Sequence, residues 1–303
     1  MNIADPENLK YRGRFAPSPS GMLHFGSLVA AVGSYLDARS HAGEWLIRIE
    51  DLDMQRNVTG AAEAILHTLE KLGMEWDSEV MYQSRRQHAY RSGLELLRQK
   101  GLIYACGCSR REIADSSILG PQGPIYPRTC LNKLAPEGKP HALRIRTNAD
   151  RIAFDDLIQG THAQSLEKEI GDFVLRRADG IYAYQLAVVI DDAEQGITHI
   201  VRGADLLDST PRQIYLQQQM GLITPQYMHL PVATNLRGEK LSKQTHAFPV
   251  DVTGAVSLLI KVLHFLGQQP PVSLLQGDIH SLWQWARQNW RRDRIPRATA
   301  RCL

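Results

Sequence analysis

The chain has 303 residues, of which 43% are hydrophobic and 22% charged, a balance typical of a globular protein rather than a disordered or fibrous one. Lys and Arg number 35 against 32 Asp and Glu, which gives a formal net charge of +3. One large domain or two to three small ones fit this length, and a core of this size does not need disulfide bonds.

The charge is unevenly distributed along the chain. Six arginines and one acid leave residues 283–303 with a charge of +5, so the remainder carries −2. Three tryptophans stand in the same stretch, and basic side chains interleaved with aromatic ones suit a nucleic-acid backbone. A solvated terminal helix with an apolar tryptophan face fits the same pattern.

The sequence does not show the pattern of a targeting or membrane segment. The N-terminal residues are polar and acidic, whereas a secretory signal is basic and then apolar. The longest apolar stretch, residues 255–267, is interrupted by Lys261 and His264 and is too short to span a bilayer. We therefore expect a cytoplasmic protein without a membrane partner, in which the four cysteines are thiols or metal ligands rather than disulfides.

Hydrophobic periodicity predicts alternating strands and helices over the first hundred residues. The predicted strands cover residues 11–16, 45–49 and 102–106, and the predicted helices cover residues 26–39, 61–72 and 83–100. This order predicts an α/β protein with a doubly wound, Rossmann-type parallel sheet joined by right-handed crossovers.

The pattern changes at Gly107, where the chain becomes rich in Gly, Pro, Ser and Cys. Short strands at residues 142–146 and 152–154 and a hairpin at 173–184 follow. The first pattern then resumes, with strands at residues 198–201 and 229–233 and helices at 211–220, 252–266 and 279–290. We therefore divide the chain into two halves of one α/β domain (1–106 and 191–250), an insertion (107–190) and a short helical C-terminal region (251–303).

Two polar loops follow predicted strands and carry residues suited to phosphates. Residues 14–27 connect the first strand to the first helix, whose N-terminus would form an anion site. A plain turn rich in Pro and Gly is the alternative. Residues 237–243 place Lys240 and Lys243 three apart, where they can close over phosphates or form a solvated basic turn.

Both loops resemble the signatures of one enzyme family. His24-Phe-Gly-Ser27 resembles the HIGH-type signature of the class I aminoacyl-tRNA synthetases, and Lys240-Leu-Ser-Lys243 resembles their KMSKS-type signature. Further segments are similar to those of glutamyl-tRNA synthetases: residues 48–56, 196–203 and 209–211. The resemblance extends from about Arg14 to Gln244, and it is specific because the motifs keep their order.

The resemblance implies that the protein activates L-glutamate with ATP to form glutamyl-adenylate. A carboxylate must attack the α-phosphorus while pyrophosphate leaves, so the site must hold two anions and stabilise added negative charge. We assign this role to His24, Lys240 and Lys243, and ATP binding to Gly26, Ser27 and Lys243. Mg²⁺ is expected on the phosphate oxygens, since it needs few protein ligands. Without the lysine loop, His24 would be interpreted as an ordinary turn histidine.

Glutamate presents two carboxylates and one ammonium group. Glu50, at the end of a predicted strand, suits the ammonium, and Arg14 and Arg202 suit carboxylates because a guanidinium donates in a bidentate manner. The pocket that the resemblance implies consists of Arg14, Ala16, Ser18, Glu50, Tyr184 and Arg202. The alternatives are surface ion pairs and, for Glu50 beside Asp51 and Asp53, an acidic turn that binds a metal.

One segment departs from the family pattern. Glutamyl-tRNA synthetases carry Tyr-His-x-Ala-Asn before a Val-Val-Asp-Asp run, whereas this chain has Tyr184-Gln-Leu-Ala-Val188 before Val-Ile-Asp-Asp192. Val188 cannot donate the hydrogen bond that an asparagine would give. We therefore expect either a slightly rebuilt pocket or weaker binding of the amino acid.

Three cysteines stand at the predicted insertion: Cys106, Cys108 and Cys130. Structural zinc takes four ligands at such spacings, which leaves one tetrahedral position for Tyr126, His141 or Cys302. The zinc-bearing synthetases that the chain resembles place a tyrosine four residues before the last cysteine, so the resemblance implies Tyr126 and one structural Zn²⁺. Three reduced cysteines without a metal are the alternative.

The length of the chain bears on the acceptor of the glutamyl group. Only about sixty residues follow Lys243, fewer than a domain that reads an anticodon needs. The chain is therefore most similar to truncated paralogues of glutamyl-tRNA synthetase, which esterify glutamate onto the queuosine cyclopentenediol at the anticodon wobble position of tRNA(Asp). The resemblance implies the tRNA(Asp) anticodon stem-loop as partner, with arginines of residues 283–303 available to hold its phosphates.

Other functions fit parts of the sequence. A truncated glutamyl-tRNA synthetase would charge a tRNA 3′ end, a small nucleotidylyltransferase would share the HIGH-type loop, and a non-catalytic tRNA-binding paralogue would tolerate loss of His24 or Lys243. The sequence has no long apolar stripe that would need a second subunit, so we expect a monomer.

Overall fold

The computed structural model describes residues 10–133, 138–241 and 249–303, so Lys243 lies outside the described residues. The strands are β1 (Arg12–Phe15), β2 (Glu44–Ile49), β3 (Met81–Tyr82), β4 (Ile103–Cys106), β5 (Ile118–Gly120), β6 (Gly123–Ile125), β7 (Ala142–Ile145), β8 (Arg151–Asp156), β9 (Gly160–Ser165), β10 (Phe173–Arg176), β11 (His199–Gly203), β12 (Gln226–Leu230), β13 (Val232–Thr234) and β14 (Ala300–Cys302). The helices are α1 (Phe25–Ser40), α2 (Ala61–Lys71), α3 (Gln87–Gln99), α4 (Arg110–Ser116), α5 (Leu166–Glu169), α6 (Tyr184–Glu194), α7 (Thr210–Met220), α8 (Ala255–Phe265) and α9 (Ile279–Asn289). Within these ranges, no helix has a run long and apolar enough to cross a bilayer.

A parallel sheet forms the centre of the fold. β1 pairs with β2 and β2 with β3, while β11 pairs with β12, in each case in parallel. The two groups meet where the amide of Thr198 donates to the carbonyl of Arg12 in β1, at 2.9 Å. The resulting order, β3-β2-β1-β11-β12, is that of a doubly wound sheet, which binds its ligands at the carboxyl ends of its strands. The predicted parallel sheet is confirmed.

Helices cover both faces of this sheet. Trp45, Ile47 and Ile49 of β2 pack with α1, α8 and α9 in one core, whereas Leu46 packs with α3, α6 and α7 in the other. Burying a large apolar side chain stabilises the fold by roughly 2 kcal/mol. A strand buried on both sides is what a parallel sheet between two helical layers requires.

Some strands have other partners than the chain order indicates. β4, predicted to continue the parallel sheet, pairs antiparallel with β7, which in turn pairs antiparallel with β10. β8 instead joins the edge of the parallel sheet beside β12 and forms an antiparallel hairpin with β9. Hydrophobic periodicity identifies a strand but does not identify the strand beside it. The reason is that the apolar side chains of a strand are buried equally well whichever strand it pairs with. The limits of the insertion, residues 107–190, stay a prediction.

Two predicted elements have different boundaries in the structure. The hairpin predicted over residues 173–184 is correct at its turn, where Arg176 bridges to Tyr182, but Tyr184 opens helix α6. Seven consecutive residues of α6 are buried, so its sequence lacks amphipathic periodicity. The strand predicted over residues 229–233 is two strands separated at Pro231, which has no amide hydrogen to donate to a neighbouring strand.

The arginine-rich end is partly built into the fold. Asp37 of α1 is fully buried and accepts hydrogen bonds from Trp290 Nε1 (3.0 Å) and from two nitrogens of Arg292 (2.7 and 2.8 Å). Arg287 and Arg301 also donate to groups of the fold. Arg292 is half-buried in its pair with Asp37, and the binding of phosphates by arginines of residues 283–303 stays a prediction. The exposed members of the set are Arg287, Arg291, Arg294, Arg297 and Arg301.

Candidate active site and metal centre

A cleft of about 1070 Å³ opens at the carboxyl end of the parallel sheet. Residues assigned from the sequence to ATP and to the amino acid lie together in its wall: Arg14, Ala16, Ser18, His24, Gly26, Ser27, Glu50, Tyr184, Arg202 and Lys240. The roles of these residues in binding ATP and the amino acid stay predictions. Their convergence follows from the topology, since each parallel strand ends at this edge.

The N-terminus of α1 forms one part of the wall. His24 caps the helix, because its Nδ1 accepts from the amide of Ser27 (3.3 Å) and its Nε2 lies 3.0 Å from the Ser27 hydroxyl. A Cβ at Gly26 would stand 3.2 Å from the His24 ring and 3.3 Å from the carbonyl oxygen of Leu241, so glycine suits this close approach. The first turn of α1, described throughout, carries no acidic side chain. The positive end of the helix dipole is therefore available to an anion.

A lysine reaches the cleft from the loop after β13. Lys240 Nζ lies 2.6 Å from Oδ2 of Asp205, which also lines the cleft. The loop is held to β13 by a bridge between Thr234 and Lys240 and by a hydrogen bond from the amide of Leu241 to the carbonyl of Ala233. Both charged side chains are at least one-third exposed, so their ion pair contributes at most about 1 kcal/mol. A phosphate group can therefore compete for the ammonium.

Glu50 brings a carboxylate into the cleft at the end of β2. Its amide donates to the carbonyl of Pro17 (3.0 Å), which places it beside the loop that follows β1. Burial raises the pKa of Glu50 to about 7, although the positive charges of Arg48 and Arg14 oppose this rise. A cationic ligand group would stabilise the ionised carboxylate and lower its pKa again. The position thus suits an ammonium.

Arg14 is oriented by a buried acid from α6. Its Nε donates to Oδ1 of Asp192 (3.0 Å), and Arg48 donates to the same oxygen (2.8 Å). Burial raises the pKa of Asp192, but the two arginines outweigh burial and lower it, so that the acid stays ionised. Breaking such a buried pair costs about 3–5 kcal/mol. Asp192 therefore fixes the guanidinium of Arg14 at the cleft.

Arg202 is a buried guanidinium that has no carboxylate within ion-pair distance among the described residues. It is 4% exposed. Its Nε donates to Nε2 of His229 (3.0 Å), its Nη2 to the hydroxyl of Thr210 (2.9 Å) and its Nη1 to the hydroxyl of Tyr184 (3.4 Å). These partners are neutral, and a buried charge without a counter-ion is costly. A carboxylate ligand in the cleft would supply the missing counter-ion.

The structure does not support a metal-binding acidic turn at Glu50. Asp51 accepts hydrogen bonds from the amide and hydroxyl of Ser84 (2.7 and 2.6 Å), and Asp53 pairs with Arg177 (2.9 Å). In the part of the chain that the structure describes, His, Cys, Asp and Glu side chains gather into a potential metal site at the cysteines alone.

Val188 lies behind the pocket. It is fully buried in the core, one helical turn after Tyr184, which lines the cleft. The described residues of the cleft wall do not include Val188. A weaker contact to glutamate at this position stays a prediction.

Cys106, Cys108 and Cys130 form a compact cluster. Their sulfur atoms lie within 4.8 Å of one another, and the hydroxyl of Tyr126 lies 3.2 Å from Cys106 Sγ and 3.7 Å from Cys108 Sγ. Ligands around a tetrahedral zinc with bonds of about 2.3 Å stand roughly 3.8 Å apart, so three thiolates and this oxygen fit the ion. Among the described side chains, His141 does not join the cluster, and Cys302 is exposed in β14.

Sequence reasoning missed the residues that orient the pocket: Arg48, Asp156, Asp192, Asp205 and His229. The available signal is an ionisable residue in an apolar run, such as Asp192 at the end of α6 or His229 in β12. That signal identifies a buried polar group, but the partner becomes visible only when the fold brings distant segments together.

Comparisons with known proteins agree with this geometry. The family model described as tRNA synthetases class I (E and Q), catalytic domain, matches residues 10–257. A protein of Dechloromonas aromatica (strain RCB) named glutamyl-Q tRNA(Asp) synthetase is 56% identical over 292 residues, which cover 96% of this chain and 97% of that protein. A protein of the same name from Chromobacterium violaceum is 54% identical over 290 residues, covering 95% of this chain and 96% of that protein.

Solved structures show the same fold. The glutamate-tRNA synthetase of Elizabethkingia anophelis aligns with a TM-score of 0.80 at 26% identity, over 97% of this chain and 68% of that one. A glutamate tRNA ligase from Elizabethkingia meningosepticum CCUG26117, in complex with its amino acid, aligns with a TM-score of 0.79 at 27% identity, over 97% and 67%. Sequence, fold and cleft lead to one conclusion: the chain belongs to the class I tRNA synthetase family for glutamate and glutamine.

Proposed function

We propose that the protein activates L-glutamate with ATP, without tRNA, and transfers the glutamyl group to the queuosine cyclopentenediol in the anticodon of tRNA(Asp). The observation that carries the activation step is the cleft in which Glu50 offers a carboxylate beside the guanidinium groups of Arg14 and Arg202. These charges complement the one ammonium and two carboxylates of glutamate. The relatives named glutamyl-Q tRNA(Asp) synthetase, which match nearly the whole chain, support the acceptor.

Activation places the α-carboxylate of glutamate against the α-phosphorus of ATP. An oxygen of the carboxylate forms a bond to phosphorus, and the bond to the β-phosphate oxygen breaks to release pyrophosphate. His24, the N-terminus of α1 and Lys240 line the cleft, and we propose that they stabilise the added negative charge. Lys243, outside the described residues, is proposed to act with them. Mg²⁺ is proposed on the phosphates, where it would neutralise their charge.

Transfer then uses a hydroxyl of the cyclopentenediol. That oxygen attacks the carbonyl carbon of the adenylate, AMP leaves with the bonding electron pair, and the hydroxyl proton passes to the AMP phosphate or to water. The anticodon stem-loop of tRNA(Asp) is the proposed partner, and the exposed arginines of residues 283–303 can bind its phosphates.

ATP–pyrophosphate exchange tests the activation step. Exchange should depend on glutamate and proceed without tRNA, and an absence of glutamate-dependent exchange would refute the proposal. Lys240→Ala should lower the exchange rate by about a hundredfold, because it removes a donor to the transition state. Lys261→Ala is the matched control, since Lys261 is an exposed lysine on α8, and its exchange rate should equal that of the unchanged protein.

We also propose a structural zinc ion held by Cys106, Cys108, Cys130 and Tyr126. It would tie the end of β4 to the segment around Cys130, and it would contribute no chemistry to activation. Elemental analysis of protein purified without chelator should find about one zinc per chain and little in a Cys108→Ser variant. Equal, near-zero zinc in both would contradict the proposal.

The remaining organisation is proposed from the sequence. Residues 1–106 and 191–250 would form the two halves of the catalytic domain, 107–190 the zinc-bearing insertion and 251–303 the C-terminal region. A cytoplasmic monomer is expected, and sedimentation at micromolar concentration tests the oligomeric state.

A further inference from the structure

Three side chains are linked by a series of buried hydrogen bonds that ends at the cleft. Oδ2 of Asp156 accepts a hydrogen bond from Nδ1 of His229 (2.6 Å), and Nε2 of His229 accepts one from Nε of Arg202 (3.0 Å). The side chains of Asp156 and His229 are completely buried, and Arg202 lines the cleft. The activation step described above does not use the acid or the histidine.

The chemistry of the two outer groups fixes the proton on the middle one. A carboxylate only accepts hydrogen bonds, and a guanidinium only donates them. His229 must therefore carry its proton on Nδ1 and present a lone pair on Nε2. Burial lowers the pKa of His229 to about 4, which keeps the ring neutral at neutral pH. A neutral ring in this tautomer is the state in which it can accept from Arg202.

Asp156 is itself held in one orientation. Its Oδ1 accepts from the amides of Ile158 (3.0 Å), Gln159 (2.9 Å) and His229 (3.2 Å), where β8 turns towards β9. Three donors on one oxygen leave the second oxygen to face the ring of His229. The acid comes from β8, the strand that joins the edge of the parallel sheet beside β12.

We propose that Asp156 and His229 are positioning residues for glutamate binding. They hold the Nε edge of Arg202, so that its two Nη groups point towards Tyr184, Thr210 and the cleft, where they meet a substrate carboxylate. The proposal rests on the proposed function in taking glutamate as the ligand. In this proposal, Asp156 of β8 orients Arg202, a binding residue that is distant from it in sequence.

Asp156→Asn tests the series of hydrogen bonds that links Asp156, His229 and Arg202. The asparagine Oδ1 can keep the three amide hydrogen bonds, which places its NH₂ group against Nδ1 of His229. The ring must then carry its proton on Nε2, where it opposes the N–H of Arg202. The KM for glutamate in ATP–pyrophosphate exchange should rise at least tenfold, while the KM for ATP stays within twofold. Asp155→Asn, at an exposed acid of the same strand, should leave both constants unchanged.

Two variants of the histidine keep the proposal testable if Asp156→Asn does not fold. His229→Gln can place an amide oxygen near the position of Nε2 and accept from Arg202, whereas the shorter His229→Asn cannot reach it. The KM for glutamate should stay within about threefold of the unchanged protein for glutamine and rise at least tenfold for asparagine. Equal values for the two variants would overturn the proposal.

¹⁵N NMR of histidine-labelled protein separates this inference from the proposed function. The unchanged protein should show His229 protonated on Nδ1, and Asp156→Asn should move the proton to Nε2. Protonation on Nε2 in the unchanged protein would overturn the inference even if glutamate is activated. A parallel rise of the KM values for glutamate and for ATP in Asp156→Asn, together with a lower melting temperature, would also overturn the inference. Such a result would show general damage to the fold. No glutamate-dependent exchange by the unchanged protein would instead refute the proposed function.

Discussion

Replacing Glu50 by glutamine should stabilise the protein and weaken glutamate binding. The pKa of Glu50 is about 7 in the folded protein, because of burial, against an ordinary value of 4.5. A carboxyl whose pKa is raised on folding gives its full stability below pH 4.5 and loses it as the pH rises towards 7. Above pH 7 the ionised side chain therefore costs the folded state about 3 kcal/mol, which a neutral amide of the same shape avoids.

Urea unfolding at pH 5 and pH 8 measures this difference. Glu50→Gln should exceed the unchanged protein in free energy of unfolding by at most about 1 kcal/mol at pH 5 and by about 3 kcal/mol at pH 8. Glu75→Gln is the matched control, since Glu75 is an exposed glutamate, and its difference should not change with pH. A stability gap for Glu50→Gln that is the same at both pH values would show that the pKa of Glu50 is not raised on folding.

The same variant tests the role of Glu50 in binding. Losing the partner of the substrate ammonium should raise the KM for glutamate by about a hundredfold. In the unchanged protein, that KM should rise about tenfold from pH 8 to pH 6, as Glu50 takes up a proton. An unchanged KM in the variant would show that the ammonium binds elsewhere.

Three further changes test the packing and the metal site. Gly33→Ala should cost about 1–3 kcal/mol in urea unfolding, because its Cβ would overlap Leu230 Cδ1; an unchanged midpoint would contradict the packing. Asp37→Asn should cost about 3 kcal/mol, since it leaves Arg292 without its buried counter-ion; a loss below about 1 kcal/mol would show that the pair is dispensable. Cys108→Ser should lose zinc and lower the melting temperature, whereas a chelator should not lower that of the variant further.

The regular elements could be predicted where their pattern is local. The helix predicted over residues 26–39 is α1, Phe25–Ser40, and the strand predicted over 45–49 is β2, Glu44–Ile49. Helix α6 could not be predicted in this way, because it is buried over seven consecutive residues and has no polar face. The strand that pairs with β4 could not be predicted either, since strand pairing is decided between segments distant in sequence.

The site could be predicted in part for the same reason. Arg14 and Arg202 lie near the carboxyl ends of β1 and β11, and Glu50 directly follows β2, and a parallel sheet brings such positions to one edge. The groups that orient these residues could not be predicted from the sequence. Asp192 lies 178 residues from Arg14, and Asp156 lies 73 residues from His229. Neither pair has a local pattern, so only the folded chain reveals them.

Transfer of labelled glutamate to tRNA(Asp) is the most direct test of the proposed reaction. The substrates are tRNA(Asp) with queuosine, tRNA(Asp) without it, and queuosine-containing tRNA(Asp) from which the 3′-terminal adenosine has been removed. We expect labelling of both queuosine-containing tRNAs, with the label in the anticodon fragment after ribonuclease digestion, and none without queuosine. Equal labelling with and without queuosine, or loss of labelling when the 3′ adenosine is removed, would contradict the proposed transfer to queuosine.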